Sequence, residues 1–201
     1  MPTSTTRKAG RPRDDAIDQT ALATTLQLLG EVGFEGTTIQ TVAARSGLHA
    51  SALYRRWSSR VELIEDAMTP LLVMAPLEPT GDLRRDVRRL VRAYVAAWST
   101  PAARAAIPGL LAHYQSAGTR TAAEWLPISA RPQFIDILRA APAGTVDPSV
   151  DPDDVFDVLL GAALVRALVP TVVERHRPVE RTVDLVVKML EPGTDRVVAA
   201  R

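Results

Sequence analysis

The chain has 201 residues, 46% of them hydrophobic, and 24 basic against 23 acidic side chains give a formal net charge of +1. That length and apolar content allow one large or two small globular units with a sizeable core, and the absence of cysteine excludes disulfide frameworks, zinc-cysteine sites and thiol nucleophiles. The opening MPTSTTRKAGRPR lacks the apolar core of a signal peptide, and the longest apolar run, VLLGAALVRALV, is short and interrupted by Arg166, so a soluble cytoplasmic protein with no membrane contact is expected.

Apolar residues recur at helical spacing through most of the chain and strand patterns are scarce, which predicts an all-α fold. Residues 1–13 read as a flexible basic arm, polar at first and then carrying Arg7, Lys8, Arg11 and Arg13 with no acid. Arginine beside glycine and proline suits an extended segment in a narrow minor groove, so Arg11 and Arg13 are candidate DNA contacts. A helix begins at Asp14 or Asp15, runs through Ile17, Ala21, Leu22, Leu28 and Leu29, and stops at Gly33. Thr37 with Gln40 three residues on reads as a capping box for a short second helix, which Ser46 and Gly47 end. A third helix over about 49–57 buries Leu53 and Trp57. A fourth opens at Ser59 with Glu62 in the capping-box position and ends or kinks near Pro70.

The separators in MAPLEPTGD, residues 74–82, mark a boundary between a unit over 14–73 and one over 82–191, with a tail at 192–201. In the second unit DLRRDVRRLVRAYVAAW places Leu83, Val87, Leu90, Val91, Tyr94, Val95 and Trp98 on one stripe, with the arginines on a solvated face. Further helices are predicted at about 101–117, 119–140 with breaks near Pro127 and Pro132, 152–174 and 179–190. Residues 155–169 are apolar nearly all round, which predicts burial inside the unit and also against a partner.

From Thr37 to Val61 there is no acidic residue, yet Arg45, Arg55, Arg56 and Arg60 all fall there. Two short helices joined by a glycine turn, set against a longer first helix, form a helix-turn-helix unit whose second short helix enters the major groove. Ala50, Ser51, Tyr54 and Arg55 then share the free face opposite Leu53 and Trp57, and the four arginines each add attraction to phosphates. Arg60 gains further from its place in the first turn of the fourth helix. Ala50 and Ser51 offer only a methyl contact and a hydroxyl, so the operator sequence is not readable from this helix.

At these residues the chain strongly resembles the TetR family of transcriptional repressors. The likeness covers LLGEVGFEGTT and TTIQTVAARSGLHASALYRRWSSRVELI within residues 14–68. It implies that Thr38 begins the second helix near a phosphate, that Tyr54 contacts a phosphate, and that Arg60 does the work of the family's usual lysine. His49 stands where a serine commonly caps the recognition helix, which makes it a candidate DNA contact, and Ser58 stands where proline is frequent. The second unit is more loosely similar to the family's ligand-binding portion, in which the last two helices pair with their twofold mates. That implies a homodimer, with Val155, Leu159, Ala163, Val183, Val186 and Leu190 as interface candidates or ordinary core. The family's effector pocket lies among the central helices, where Trp98, His113, Tyr114, Trp125 and Phe134 are pocket candidates, each equally able to be core.

The three histidines, His49, His113 and His176, are widely separated and lack metal-ligand spacing, and no phosphate loop or nucleophile motif occurs. Neither catalysis nor a cofactor is expected. The reading is a homodimeric repressor released from a palindromic double-stranded operator by a small apolar or amphipathic effector. A constitutive dimeric DNA-binding protein is its alternative, and a helical enzyme or small-molecule carrier a more distant one.

Overall fold

The computed structural model describes residues 15–72, 76–117, 130–169 and 179–193. Among them every regular element is an α-helix, and no helix is long and apolar enough to cross a membrane. In chain order these are α1 (Asp15–Gly36), α2 (Ile39–Ser46), α3 (Ala50–Tyr54), α4 (Arg60–Leu72), α5 (Leu83–Trp98), α6 (Pro101–Ala117), α7 (Arg131–Ala140), α8 (Pro152–Leu168) and α9 (Val179–Leu190).

Asp15 and Asp18 lie in the first turn of α1, where carboxylates oppose the positive end of the helix dipole. Gly33 interrupts α1 with φ 76°, a left-handed conformation that side-chain-bearing residues rarely adopt. The Thr37 hydroxyl donates to the Gly33 carbonyl at 2.8 Å, so Thr37 closes α1 instead of capping α2. The capping box belongs to Thr38 and Thr41: Thr38 Oγ1 accepts from the Thr41 N–H at 3.1 Å, and Thr41 Oγ1 accepts from the Thr38 N–H at 2.8 Å. Gly47, at φ 71°, ends α2.

Two apolar cores share α1 and α4. Ala21, Leu28, Ile39, Val42, Ala43, Leu53, Trp57 and Leu63 form the smaller one beneath α2 and α3. Leu29, Ile64 and Met68 turn instead into the larger core built by α5 to α9. Neighbours in sequence stand about 100° apart on a helix of 3.6 residues per turn, so Leu28 and Leu29, like Leu63 and Ile64, serve different cores. The α1–α6 contact brings the aromatic ring of Phe34 against Gly109, where a Cβ would stand 2.6 Å from ring atoms Cδ1 and Cδ2.

One of these helices is shorter than expected. The third helix covers only Ala50–Tyr54, and a turn carries the chain to Trp57, whose N–H still bonds the Leu53 carbonyl at 2.9 Å. The fourth runs to Leu72, two residues past Pro70 and so close to its expected end. Of the helix expected at 119–140, the described part is α7, with Pro132 in its first turn. Residues 118–129 and 170–174 lie outside the described residues, as do the arm and most of the tail.

The six interface candidates face inward. Val155, Leu159, Ala163, Val183, Val186 and Leu190 are all buried within the single chain, in the larger core. The outer stripes consist instead of Val158, Val165 and Val169 on and just past α8, and Leu185 and Met189 on α9. The physical reason is the period: on a helix apolar on all sides, position alone does not reveal which stripe meets the chain's own core, and 155/159/163 won that place over 158/165.

Candidate nucleic-acid interface

The surface above the small core is made by α2, α3 and the turns between them. Buried Ile39, Val42, Ala43 and Leu53 anchor both helices, which leaves Gln40, Thr41, Ala44, Arg45, His49, Ser51, Tyr54 and Arg55 exposed. Thr38 and Ala50 are half-buried, Thr38 as the α2 cap and Ala50 against the small core. His49 is the N-cap residue of α3 and makes no side-chain cap bond. Tyr54 remains 48% exposed, and its hydroxyl accepts a hydrogen bond from Gln40 Nε2 at 2.6 Å. Gln40 is a surface residue the sequence reading missed, because its spacing from Thr37 suggested a cap.

The four arginines of the acid-free window do not form four free charges. Arg45 pairs with Glu31 at 2.9 Å, Arg60 with Glu35 at 2.8 Å, and Arg56 with Asp18, so α1 supplies the carboxylates that the window lacks. The Arg45–Glu31 and Arg60–Glu35 pairs lie in water and are each worth less than about 1 kcal/mol, so either arginine can exchange its carboxylate for a phosphate. Arg56 and Asp18 are 14% and 24% exposed, and Arg56 Nη1 also donates to the Ala52 carbonyl at 3.2 Å, which makes Arg56 a clamp between α1 and α3. Arg55 is exposed and has no carboxylate partner among the described residues. It is the arginine of the window ready to meet an anion without breaking a bond first.

Arg60 is held from three directions. Its guanidinium lies 5.0 Å from the centroid of the Phe34 ring, and Nη1 donates to the Glu35 carbonyl at 3.3 Å in addition to the ion pair. Ser59 Oγ accepts from the Glu62 N–H at 3.1 Å as expected, while the Glu62 carboxylate takes both the N–H and the hydroxyl of Ser58 at 2.7 Å. Trp57 Nε1 donates to Asp66 at 2.8 Å, fixing the chain between α3 and α4. Arg11 and Arg13 lie outside the described residues.

The described pocket candidates lie on α5, α6 and α7. Trp98 and Phe134 are buried in one aromatic group completed by Tyr94 and Phe156, with ring centroids 4.7 Å apart for Tyr94–Trp98, 6.4 Å for Tyr94–Phe156 and 5.6 Å for Phe134–Phe156. Burial pushes the Tyr94 phenol up to about 12, against the smaller opposing effects of a backbone hydrogen bond at Ala130 and the Arg131 charge. The Trp98 indole N–H is buried there with no hydrogen-bond partner among the described residues. His113 and Tyr114 lie half-buried on α6, Tyr114 packs against the same larger core, and Tyr114 Oη donates to Glu65 Oε1 of α4 at 2.7 Å. Trp125 lies outside the described residues. No group of three or more acidic or histidine side chains placed to hold a metal ion occurs among the described residues.

Two family models match the chain. Bacterial regulatory proteins of the tetR family match residues 21–67, and the tetracyclin repressor-like C-terminal domain matches residues 77–186. Among curated proteins, an uncharacterised HTH-type transcriptional regulator of Mycobacterium bovis is 37% identical over 90 residues, 42% of this chain and 45% of that protein. Another from Bacillus subtilis is 30% identical over 81 residues, 40% and 41% of the two chains. The alignments thus span less than half the length of these relatives. The solved structure of native TylP, a tetR regulator from Streptomyces fradiae, is similar with a TM-score of 0.64 at 22% identity, over 92% of each chain. That of a TetR-family regulator from Haemophilus influenzae gives 0.60 at 12% identity, covering 90% of this chain and 100% of the other. The structural likenesses show a common all-α fold.

Proposed function

Because the chain belongs to the TetR family of bacterial regulatory proteins, we propose that it is a homodimeric transcriptional repressor that binds a palindromic operator through α2 and α3 and leaves it when a small molecule binds among α5 to α8. The observation that carries the DNA-binding reading is the surface itself. Gln40, His49, Ser51, Tyr54 and Arg55 are exposed together, Thr38 stands at the start of α2, and every arginine of the window except Arg55 is matched to a carboxylate on α1. Arg45 and Arg60 supply further phosphate contacts once their exposed pairs exchange, and Arg11 and Arg13 reach the minor groove.

The dimer reading rests on α8 and α9, which present Val158, Val165, Leu185 and Met189 to solvent. Exposed Gly161 between the two valines has open space where a Cβ would stand, which suits close approach of a second helix. Stripes of this kind on neighbouring helices fit a four-helix interface with a second copy, and twofold symmetry sets the recognition helices about 34 to 36 Å apart, the distance between successive major grooves. The effector reading is supported by the aromatic group at Trp98 and Phe134, where an unpartnered buried indole N–H favours an apolar ligand bearing one acceptor.

Helix α6 offers the route from that group to the DNA-facing side. It touches α4 through Tyr114 and Glu65 and touches α1 through Gly109 and Phe34, on whose ring Arg60 rests. An effector that prefers a displaced α6 would shift the population away from the DNA-bound spacing. The test is selection of the purified protein on random duplexes, followed by sequencing of the retained fraction and sedimentation of the complex. A retained palindrome bound by two chains is expected; retention without an enriched sequence overturns the repressor reading.

A further inference from the structure

The hydrogen bond between Gln40 and Tyr54 joins the two helices of the DNA-facing surface, and its polarity has a consequence. A phenolic oxygen has one proton to donate and two lone pairs. Gln40 Nε2 donates to it at 2.6 Å, which occupies a lone pair and leaves the Tyr54 proton for another acceptor. Thr38 and Thr41 close the α2 cap between themselves, so the Gln40 amide is not drawn back to the helix terminus. Tyr54 is half exposed, Arg55 follows it with no carboxylate partner among the described residues, and the arginines nearby already hold the local carboxylates. The acceptor favoured at that place is therefore an anionic oxygen supplied from outside.

Resting on the DNA-binding reading above, we propose that Gln40 is a positioning residue for operator binding: it fixes the Tyr54 ring across the α2–α3 surface and orients its hydroxyl to donate to a backbone phosphate. Gln40 bears no charge and acts through Tyr54, so its contribution is order present before the DNA arrives. A side chain already held in its bound rotamer loses less freedom on binding, an effect on the order of 3- to 10-fold in affinity for one aromatic side chain.

The experiment is a double-mutant cycle on operator affinity with Q40M, Y54F and Q40M/Y54F, using the duplex selected by the wild-type chain and a salt titration for each variant. Methionine keeps the length and helix preference of glutamine while removing the amide. Q40M is expected to weaken binding about 3- to 10-fold at every salt concentration, with an unchanged salt slope because no charge is lost. In the Y54F background Q40M is expected to have no further effect. Unfolding midpoints within experimental error of wild type exclude a merely structural cause. An unchanged affinity for Q40M, or an equal loss in both backgrounds, overturns the proposal, the second because Gln40 would then touch DNA directly. An unaltered affinity for Y54F, with operator selection intact, also overturns it. A wild-type chain that selects no sequence fails the DNA-binding reading itself, a result separable from the cycle.

Discussion

Gly109→Ala tests the junction between α1, α6 and Arg60. In an ordinary helix interior this change stabilises by about 1 kcal/mol, because alanine loses less backbone freedom than glycine. Here the added methyl would lie 2.6 Å from two carbons of the Phe34 ring, nearer than real Cβ atoms come, and it would also meet Cγ, the least movable ring atom. The ring must yield, and overpacking of that kind costs about 1 to 3 kcal/mol. Arg60 rests on the same ring, so a further ~0.5 kcal/mol of cation–π contact is at risk. The net expectation is destabilisation by about 0.5 to 2.5 kcal/mol, the opposite sign from propensity alone. Urea unfolding at one fixed protein concentration compares Gly109→Ala in the wild-type and Phe34→Ala backgrounds. With the ring gone only the propensity remains, so the same substitution should become neutral or stabilising. A stabilising Gly109→Ala in the wild-type background, or equal effects in both, would refute the wedge.

Four other outcomes are expected. Glu35→Gln releases Arg60 from an exposed pair and should tighten operator binding about 2- to 5-fold; fluorescence anisotropy showing equal or weaker binding counts against Arg60 as a phosphate contact. Arg56→Ala should lower unfolding stability by about 1 to 3 kcal/mol because it strips a partly buried carboxylate of its partner, whereas Arg45→Ala should fall within about 0.5 kcal/mol of wild type. Leu185→Glu, on a side chain 58% exposed, should convert the proposed dimer to a monomer in sedimentation without unfolding it, and a persistent dimer would move the interface elsewhere. Burial raises the Tyr94 phenol from the usual 10 to about 12, so the unfolded chain loses that proton first. Stability from this group is fully present below pH 10 and lost as pH rises to about 12, by at most about 3 kcal/mol. Tyr94→Phe should flatten that part of the pH profile, and an unaltered slope would mean Tyr94 is not its source.

Much of the DNA-facing unit was legible because its signals are local. Gly33 and Gly47 demand left-handed backbone, the pairing of Leu53 with Trp57 survives even though α3 is shorter than its pattern suggested, and the absence of acids between Thr37 and Val61 is visible in the string itself. The cap was misplaced by one residue because Gln40, three residues after Thr37, fits the usual capping pattern, whereas the residue that answers Thr38 is a threonine, Thr41. Only the folded chain shows that Thr37 is spent on the Gly33 carbonyl and that Thr38 and Thr41 cap each other. That displacement also hid Gln40, whose partner Tyr54 lies on the next helix.

By itself the sequence determined the helical class, the glycine-marked turns and the basic window, all of which follow from backbone sterics and from a period of 3.6. Tertiary structure decided which side of each helix met which neighbour. Leu28 and Leu29 part into two cores, and α8 turns Val155, Leu159 and Ala163 inward while Val158 and Val165 stay outside. It also decided the charge of the surface, since Asp18, Glu31 and Glu35 come from α1, remote in the chain from Arg56, Arg45 and Arg60 yet adjacent in space. Periodicity is a property of one helix, whereas choice of face and choice of ionic partner exist only between helices, and so they appear only when the chain has packed.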